Sequence, residues 1–146
     1  DCDLAETLKR AISAVVAAAA AKDIGIRAEA EGPLLLSHDP RWTEEAVFNL
    51  LDNAVKYTGR GGRIGLSVRK GEIFAEIHVK DTGKGIPLER QAEIFTRFYR
   101  EPEVHDVEGI GIGLYLTRRI TELQGGYVEV RSCPGKGADF TIYLPL

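Results

Sequence analysis

The chain has 146 residues and a formal net charge of −3 at pH 7, with 44% hydrophobic and 28% charged residues. This composition is typical of a globular domain, and the length suits a single domain with its own core. Because binding to a phosphate backbone needs a surplus of Lys and Arg, the acidic balance argues against a nucleic-acid partner. Cys2 and Cys133 are too few and too far apart for a disulfide framework or a Cys-based zinc site.

The chain shows no sign of a membrane-spanning segment or a signal peptide. Its longest uncharged apolar run covers residues 14–21, far short of the roughly 20 residues that a spanning helix needs. We therefore expect a cytoplasmic domain without direct membrane contact. The chain begins at Asp1 and contains no Met. We expect residues 1–146 to be one domain of a longer protein.

The first third of the chain predicts two helices and two strands. Apolar residues recur at helical spacing at the start of the chain: Leu4, Leu8, Ile12 and Val15. The Ala-rich run that follows also favours a helix. Alternation over 24–30 predicts a half-buried strand, and 34–36 predicts a short second strand. After the turn signal Asp39-Pro40, residues 41–57 have the apolar spacing of a helix.

The remaining elements are predicted to be two β-hairpins and one helix. The alternating segments come in two pairs: 64–68 with 73–79, and 128–130 with 140–144. Lys70-Gly71 suits the tight turn of the first pair, and a helix is predicted over about 114–123. We expect a two-layer α/β sandwich, in which three helices cover one face of a mixed, mostly antiparallel sheet of about five strands.

The first polar motif lies on the predicted helix 41–57 and reads Asn49-Leu-Leu-Asp-Asn53-Ala-Val-Lys56-Tyr57. Asn is unfavourable inside a helix, yet Asn49 and Asn53 are one turn apart on the same face. Side-chain carbonyl oxygens suit Mg²⁺, and Lys56 one turn further on suits a phosphate. Taken alone, such residues more often form a solvated helix surface than a ligand site.

The second motif, Asp81-Thr-Gly83-Lys-Gly85-Ile86-Pro, directly follows a predicted strand. Glycines allow positive φ and a close approach of the backbone to a ligand, and the carboxylate can accept a hydrogen bond from the amine of adenine. A sharp turn with an Asx-type bond is the structural alternative. Aspartic proteases also use Asp-Thr-Gly, but Lys-Gly-Ile-Pro and the lack of a second Asp-Thr-Gly argue against that class.

The third motif, Gly109-Ile-Gly111-Ile-Gly113-Leu114, opens the last predicted helix. Free N–H groups and the positive end of the helix dipole favour a phosphate at such a position. The spacing matches neither the dinucleotide-binding G-x-G-x-x-G motif nor the G-x-x-x-x-G-K-[ST] loop. The irregular segment before it, about 97–108, has the length of a lid or a binding loop.

Together these motifs resemble the catalytic and ATP-binding domain of histidine kinases, the HATPase_c family. The chain has segments similar to five boxes of that family, in the family's order: an asparagine box at 49–58, glycine boxes at 81–86, 109–114 and 135–137 with Phe140, and a phenylalanine box at 94–100. The agreement covers nearly the whole chain. It implies a Bergerat-type ATP-binding fold with a mobile lid over about 96–108.

The resemblance also implies roles for individual residues. Asn53, helped by Asn49, would ligate Mg²⁺, and Asp81 would bind the adenine amine. Asn49, Lys56 and Arg97 would be the catalytic residues, with Arg97 reaching the phosphates from the lid. The implied ATP-binding set is Asn53, Lys56, Tyr57, Asp81, Gly83, Gly85, Ile86, Phe98, Arg100, Gly109, Gly111, Gly113 and Leu114.

By the same resemblance, the γ-phosphoryl group would pass to a histidine on a separate dimerisation domain that precedes this one, and then to a response regulator. His38, His78 and His105 are interpreted as ordinary polar residues, so the acceptor is expected elsewhere in the parent kinase. ATP-hydrolysing relatives carry Glu where this chain has Asn49, which cannot act as a general base, so slow hydrolysis is expected. That the parent is anchored in a membrane is an expectation by analogy.

Two departures from the family pattern keep other functions open. Ile110 stands where the second glycine box often has Thr or Ser, and Ala138 where the last box usually has Ser or Thr. Both would weaken nucleotide contacts, which favours a degenerate nucleotide-binding or docking module without transfer activity. A stand-alone serine kinase that regulates a sigma factor is a further alternative, although such kinases usually carry the Glu that position 49 lacks.

Overall fold

The computed structural model describes residues 2–29, 32–91, 93–96 and 112–146. The strands in these ranges are β1 (Cys2–Asp3), β2 (Gly25–Glu29), β3 (Leu35–Leu36), β4 (Arg63–Lys70), β5 (Phe74–Asp81), β6 (Tyr127–Ser132) and β7 (Ala138–Pro145). The helices are α1 (Leu4–Ser13), α2 (Val16–Ala21), α3 (Pro40–Tyr57), α4 (Leu88–Gln91) and α5 (Gly113–Leu123). None of the helices in the described ranges combines the length and apolar character that crossing a bilayer requires.

One five-stranded sheet, in the order β2-β4-β5-β7-β6, is the frame of the molecule. The two predicted hairpins are confirmed, because β4 pairs antiparallel with β5, and β6 with β7. β5 and β7 are also antiparallel, whereas β2 runs parallel to β4 across the α3 crossover. The sheet is therefore mixed and mostly antiparallel, as the sequence predicted. A separate pair joins β1 to β3.

Alternation along the strands divides the sheet into a buried face and an open face. Apolar residues of the three central strands are at most 2% exposed and share one core with α1, α3 and α5: Ile64, Leu66, Ala75, Ile77, Val79, Phe140, Ile142 and Leu144. Their neighbours in sequence, such as Glu76, His78 and Thr141, point the other way. Asp81 ends β5 on the buried side of this alternation, which places its carboxylate under the helices.

The N-terminal helical region consists of two helices, where the sequence pattern predicted one continuous helix. Ala14 and Val15 form a tight turn, with N–H donors bonded three residues back to Ala11 O at 3.2 Å and Ile12 O at 3.0 Å. Ser13 Oγ donates to Lys9 O at 3.0 Å, a bond type that bends helices. The turn directs α2 toward β2.

Both ends of α3 are capped by side chains. At its start, the Asp39 carboxylate accepts from Arg41 N and Trp42 N, both at 3.1 Å. At its end, Lys22 Nζ donates to Val55 O at 2.7 Å and to Lys56 O at 3.3 Å. A cation here satisfies carbonyls that lack helical partners and stabilises the helix dipole. The cap holds the last turn of α3 in place.

We expect Lys22→Met to lower the free energy of unfolding by about 1–2 kcal/mol, because two α3 carbonyls lose a charged donor while the aliphatic stem is kept. Urea denaturation followed by circular dichroism measures the change. Lys9→Met is the matched control, since the Lys9 side chain is 72% exposed and pairs with Glu6 at 3.4 Å. That control should change stability by less than about 0.5 kcal/mol. Equal losses in the two variants would contradict the capping role.

Candidate functional site

The C-terminal end of α3 lies against the loop that follows β5. A Cβ atom added at Gly83 would lie 2.5 Å from Tyr57 O and 2.9 Å from Asp81 Oδ1, so this approach requires glycine. Gly83 N donates to Asp81 Oδ1 at 2.8 Å. The second sequence motif is thus packed directly on the end of the first, with the Asp81 carboxylate at the junction.

Two further glycines bring the β6–β7 turn against the same loop. Gly85 has φ +75°, and a Cβ there would overlap the carbonyl of Cys133. Gly137 has φ +79°, and a Cβ there would overlap the carbonyl of Asp81. Because both positions combine positive φ with backbone contact, any side chain would push the two loops apart. No local sequence pattern predicts this contact, because the two segments are far apart in the chain.

The hydroxyl group of Ser132 hydrogen-bonds both the loop after β5 and the turn between β6 and β7. Its Oγ accepts from Ile86 N at 2.8 Å and donates to Gly137 O at 2.6 Å. Ile86 itself is 9% exposed and belongs to the core. The loop after β5 is therefore held in a fixed shape by the end of β6.

The Asp81 carboxyl group is half-buried, and burial raises its pKa above the ordinary value of 3.8. Backbone N–H groups of Gly83 and Ala138 oppose this shift by donating to the carboxylate. A carboxylate that is partly removed from water but still accessible is stabilised by an additional hydrogen-bond donor. Such a group suits a ligand amine, and it is the most strongly perturbed carboxyl group that the described residues show.

The face of α3 that carries Asn49 meets the start of α5. A Cβ added at Gly113 would lie 3.7 Å from Asn49 Cβ, Cγ and Oδ1, so the first turn of α5 contacts this side chain directly. Asn49 Nδ2 is buried and has no hydrogen-bond partner among the described residues. A buried donor without an acceptor is uncommon in folded proteins and points to a missing ligand or water.

Lys56 and Tyr57 each have a protein partner near the end of α3. Lys56 Nζ lies 2.9 Å from Asp52 Oδ2, with both side chains about one-third exposed. Lys84 Nζ lies 5.5 Å from the centre of the Tyr57 ring, within cation–π range. Sequence analysis missed both contacts. The i,i+4 spacing of Asp52 and Lys56 could have revealed the first.

The candidate site offers amide oxygens, and no carboxylate cluster, as ligands for Mg²⁺ in the described part of the chain. No cluster of three or more His, Cys, Asp and Glu side chains that could hold a metal occurs in the part of the chain that the structure describes. A hard cation at this site would therefore depend on the amide oxygens of Asn49 and Asn53 together with oxygens from phosphates and water. Mg²⁺ commonly keeps several waters and binds substrate phosphates, so it needs only one or two oxygen ligands from the protein.

The structure brings together some of the expected site residues. Asp81, Gly83 and Tyr57 meet at one end of α3, and Asn49 meets Gly113 two turns earlier, with the half-buried Asn53 between them. Leu114 packs against the core beside Gly113. Five expected residues lie outside the described residues, as does nearly all of the expected lid 96–108: Arg97, Phe98, Arg100, Gly109 and Gly111.

Two of the histidines have protein partners outside this site. His38 bonds Thr7 Oγ1 at 3.0 Å and Leu36 O at 2.9 Å. His78 lies on the open face of the sheet, 3.0 Å from Glu76 Oε1 and 3.2 Å from Asp139 Oδ1. The contacts agree with their interpretation as polar structural residues. The third, His105, lies outside the described residues.

Comparison with known proteins gives consistent matches over most of the chain. Residues 38–146 match the family model described as "Histidine kinase-, DNA gyrase B-, and HSP90-like ATPase". Sensor protein kinase PmrB of Pseudomonas aeruginosa is 35% identical over 144 residues, which are 98% of this chain and 30% of that protein. The chain thus spans less than a third of the length of this relative.

Solved structures confirm the fold that the sequence resemblance predicted. A mycobacterial sensor histidine kinase, MprB, superposes with a TM-score of 0.87 at 28% identity, covering 99% of this chain and 95% of that chain. Full-length ShkA in complex with AMPPNP gives a TM-score of 0.86 at 28% identity, covering 99% of this chain and 30% of that one. The α/β sandwich is therefore of the Bergerat type.

We expect Asp81→Asn to raise the free energy of unfolding of the ligand-free chain near pH 7. Burial raises the Asp81 pKa, which means that the folded chain favours the protonated carboxyl group. The stabilising effect of that protonated group is fully present below the unfolded pKa of about 3.9 and is lost as the pH rises through the folded pKa. A neutral amide does not titrate and still accepts from Gly83 N. Urea denaturation at several pH values measures the difference.

The stability advantage of the Asn variant should shrink as the pH falls from about 7 toward 4. Comparing the two proteins at each pH cancels the titration of all shared groups. A variant that is less stable than the wild type by the same amount at every pH would contradict this interpretation of Asp81.

Proposed function

Because the chain belongs to the histidine kinase-, DNA gyrase B- and HSP90-like ATPase family, as a catalytic domain of the sensor histidine kinase type, we propose that it binds ATP with Mg²⁺ and donates the γ-phosphoryl group to a histidine. Residues 1–146 would act as one domain of the parent kinase. The observation that carries this proposal is the half-buried Asp81 carboxylate at the end of β5. It lies beside the last turn of α3, the helix that also carries the buried amide of Asn49.

Asp81 would recognise the adenine amine. Its carboxylate is desolvated, it accepts from the neighbouring backbone, and it retains capacity for one more donor. Gly83 and Gly85 would border the base through their backbone, in the loop shape that their contacts with Tyr57 O and Cys133 O fix, and Ile86 would supply apolar contact from the core. Tyr57, with Lys84 over its ring, would border the base or the sugar. These groups would fix the orientation of the nucleotide.

The α3 face and the start of α5 would hold the phosphates. Asn53, with Asn49, would supply amide oxygens to Mg²⁺, which when bound would neutralise phosphate charge. Gly113 and Leu114 would present backbone N–H groups at a helix N-terminus to phosphate oxygens. Lys56, which pairs with Asp52 on the same helix, would add a positive charge.

Phosphoryl transfer would then depend on position and charge more than on covalent chemistry. Asn49 can donate or accept a hydrogen bond but cannot remove a proton from water, so the γ-phosphoryl group would persist until an acceptor arrives. Lys56 and Arg97 would stabilise the negative charge that spreads over the transferred group. Phe98, Arg100, Gly109 and Gly111 are further nucleotide contacts that we propose from the resemblance.

The acceptor would be a histidine on helices that precede this domain in the parent kinase, with a response regulator as the next phosphoryl acceptor. One support is the similarity to the sensor kinase PmrB, of whose length this chain spans less than a third. The other is that His38 and His78 are engaged in structural hydrogen bonds within this domain. We further propose a cytoplasmic position for this domain within a membrane-anchored parent. Alternatives are a serine kinase and a module without transfer activity.

Calorimetry should detect binding of ATP in the presence of Mg²⁺, and Asp81→Asn should weaken it at least about tenfold, because a buried charged acceptor for the base is lost. Asp139→Asn is the matched control, since Asp139 follows Ala138 on β7 but points to the open face beside His78. That control should bind ATP like the wild type.

The same measurement tests the metal site. Asn53→Ala should weaken binding in Mg²⁺ but change it little in EDTA. Absence of ATP binding by the wild type would contradict the proposed function, whereas equal affinities of wild type and Asp81→Asn would contradict the adenine site alone.

Incubating this domain with ATP, Mg²⁺ and the helical domain that precedes it in its parent should produce acid-labile phosphohistidine on that helical domain. Radiolabelled γ-phosphate measures the transfer, with Asn53→Ala as the negative control. Acid-stable phosphoserine on a protein partner would favour the serine kinase instead. Binding without any transfer would favour the degenerate module, and fast ATP hydrolysis by this domain alone would contradict the argument from Asn49.

A further inference from the structure

A polar seam joins α3 to α5, where a purely apolar contact would be the ordinary arrangement. The residues of this polar seam are Thr43, Thr117 and Gln124. Thr117 and Thr43 are 0% and 1% exposed. Thr117 Oγ1 donates to Ala46 O at 3.0 Å. Gln124 Nε2 donates to Thr43 Oγ1 at 3.0 Å. These bonds cross between the two antiparallel helices.

The Thr117 bond lies next to the proposed phosphate site. Ala46 is one turn before Asn49 on α3, and Thr117 is one turn after Gly113 on α5. These separations are three residues on α3 and four on α5, about 4.5 and about 6 Å along the helix axes. The Thr117–Ala46 bond and the Gly113–Asn49 contact are therefore one turn apart in the same helix pair. Gln124 bonds near the other end of α5, where its Oε1 accepts from Asp39 N at 2.8 Å.

A buried hydrogen bond fixes a relative position more narrowly than apolar contacts do. Its energy depends on both distance and angle, whereas small residues such as Ala46 and Gly113 allow the helices to slide with little loss of contact. The Ala46 carbonyl gains a second donor from Thr117 beside its normal helical partner. Breaking the bond would therefore free α5 to shift along α3 while the core remains packed.

We propose that Thr117 is a positioning residue for the nucleotide site: its hydroxyl group sets the register of the first turn of α5 against Asn49. This inference rests on the proposed function, because the register matters only if the start of α5 and Asn49 contact the same bound group. The buried, unpartnered Nδ2 of Asn49 beside Gly113 supports that condition independently. Small displacements of groups that orient a reacting phosphate reduce both binding and transfer.

Thr117→Val tests the inference, because it removes the hydroxyl group and keeps the shape of the side chain. The affinity for ATP with Mg²⁺ should fall about fivefold or more. Thr121→Val is the matched control. Thr121 is 1% exposed on the same helix, but its Oγ1 donates at 2.7 Å to Thr117 O within α5. The control should bind ATP within about twofold of the wild type.

Two additional variants separate register from stability. Thr117→Ser restores the hydroxyl group and should recover affinity to within about twofold of the wild type, although it loses a buried methyl group. Thr117→Ala removes the hydroxyl group without placing a new apolar group near Ala46 O, and it serves if the Val variant does not fold. Thermal unfolding without nucleotide should show similar stability losses for Thr117→Val and Thr121→Val.

Equal affinities of the Thr117 and Thr121 variants would overturn the positioning role. Failure of Thr117→Ser to recover affinity would overturn it as well, since the hydroxyl group would then not be the cause. A wild-type domain that does not bind ATP would instead overturn the proposed function on which the inference rests. The wild-type titration therefore distinguishes the two failures.

Discussion

The close approach of Gly83 to the carbonyl of Tyr57 is the contact on which the rest of the site depends. It brings the loop after β5 under the last turn of α3, and no residue with a side chain could occupy that position. The Asp81 carboxylate and the Asn49–Asn53 face of α3, which come from different layers of the sandwich, are thereby brought to the same helix and form the candidate site. Lys22 at the end of α3 and Ser132 at the end of β6 hold the two sides of this junction.

The candidate site contains polar groups whose hydrogen bonding or solvation the described residues do not complete. Asp81 is desolvated enough for its pKa to rise, and Asn49 Nδ2 is buried without an acceptor in the described residues. In contrast, Thr43 and Thr117 between α3 and α5 and the described histidines, His38 and His78, have hydrogen-bond partners. Thr58 Oγ1, directly after the last residue of α3, is a further buried atom without a hydrogen-bond partner among the described residues. Buried polar groups without partners are uncommon in folded proteins and mark candidate positions for ligand or water contacts.

Much of the fold could be predicted because alternation and helical spacing are local properties. Both hairpins, the buried stripe of α3 and the mixed sheet were all visible in the sequence. The turn at Ala14 and Val15 was not, because an Ala-rich run favours a continuous helix and only packing against the rest of the domain requires a break. The short strand at 34–36 was predicted and contains β3, but β1 and its pairing with β3 were not, since a two-residue strand carries no periodicity.

The sequence by itself determined the chemical groups of the site and their local spacing. The i,i+4 pair Asn49 and Asn53, the carboxylate at the end of β5 and the glycines around it follow from the order of residues alone. Only the tertiary structure decided which of these groups meet. The contact of Gly113 with Asn49, the packing of the Cys133 turn on Gly85 and the bond from Thr117 to Ala46 join segments far apart in the chain. Such contacts depend on how the layers pack, and no local pattern encodes that packing.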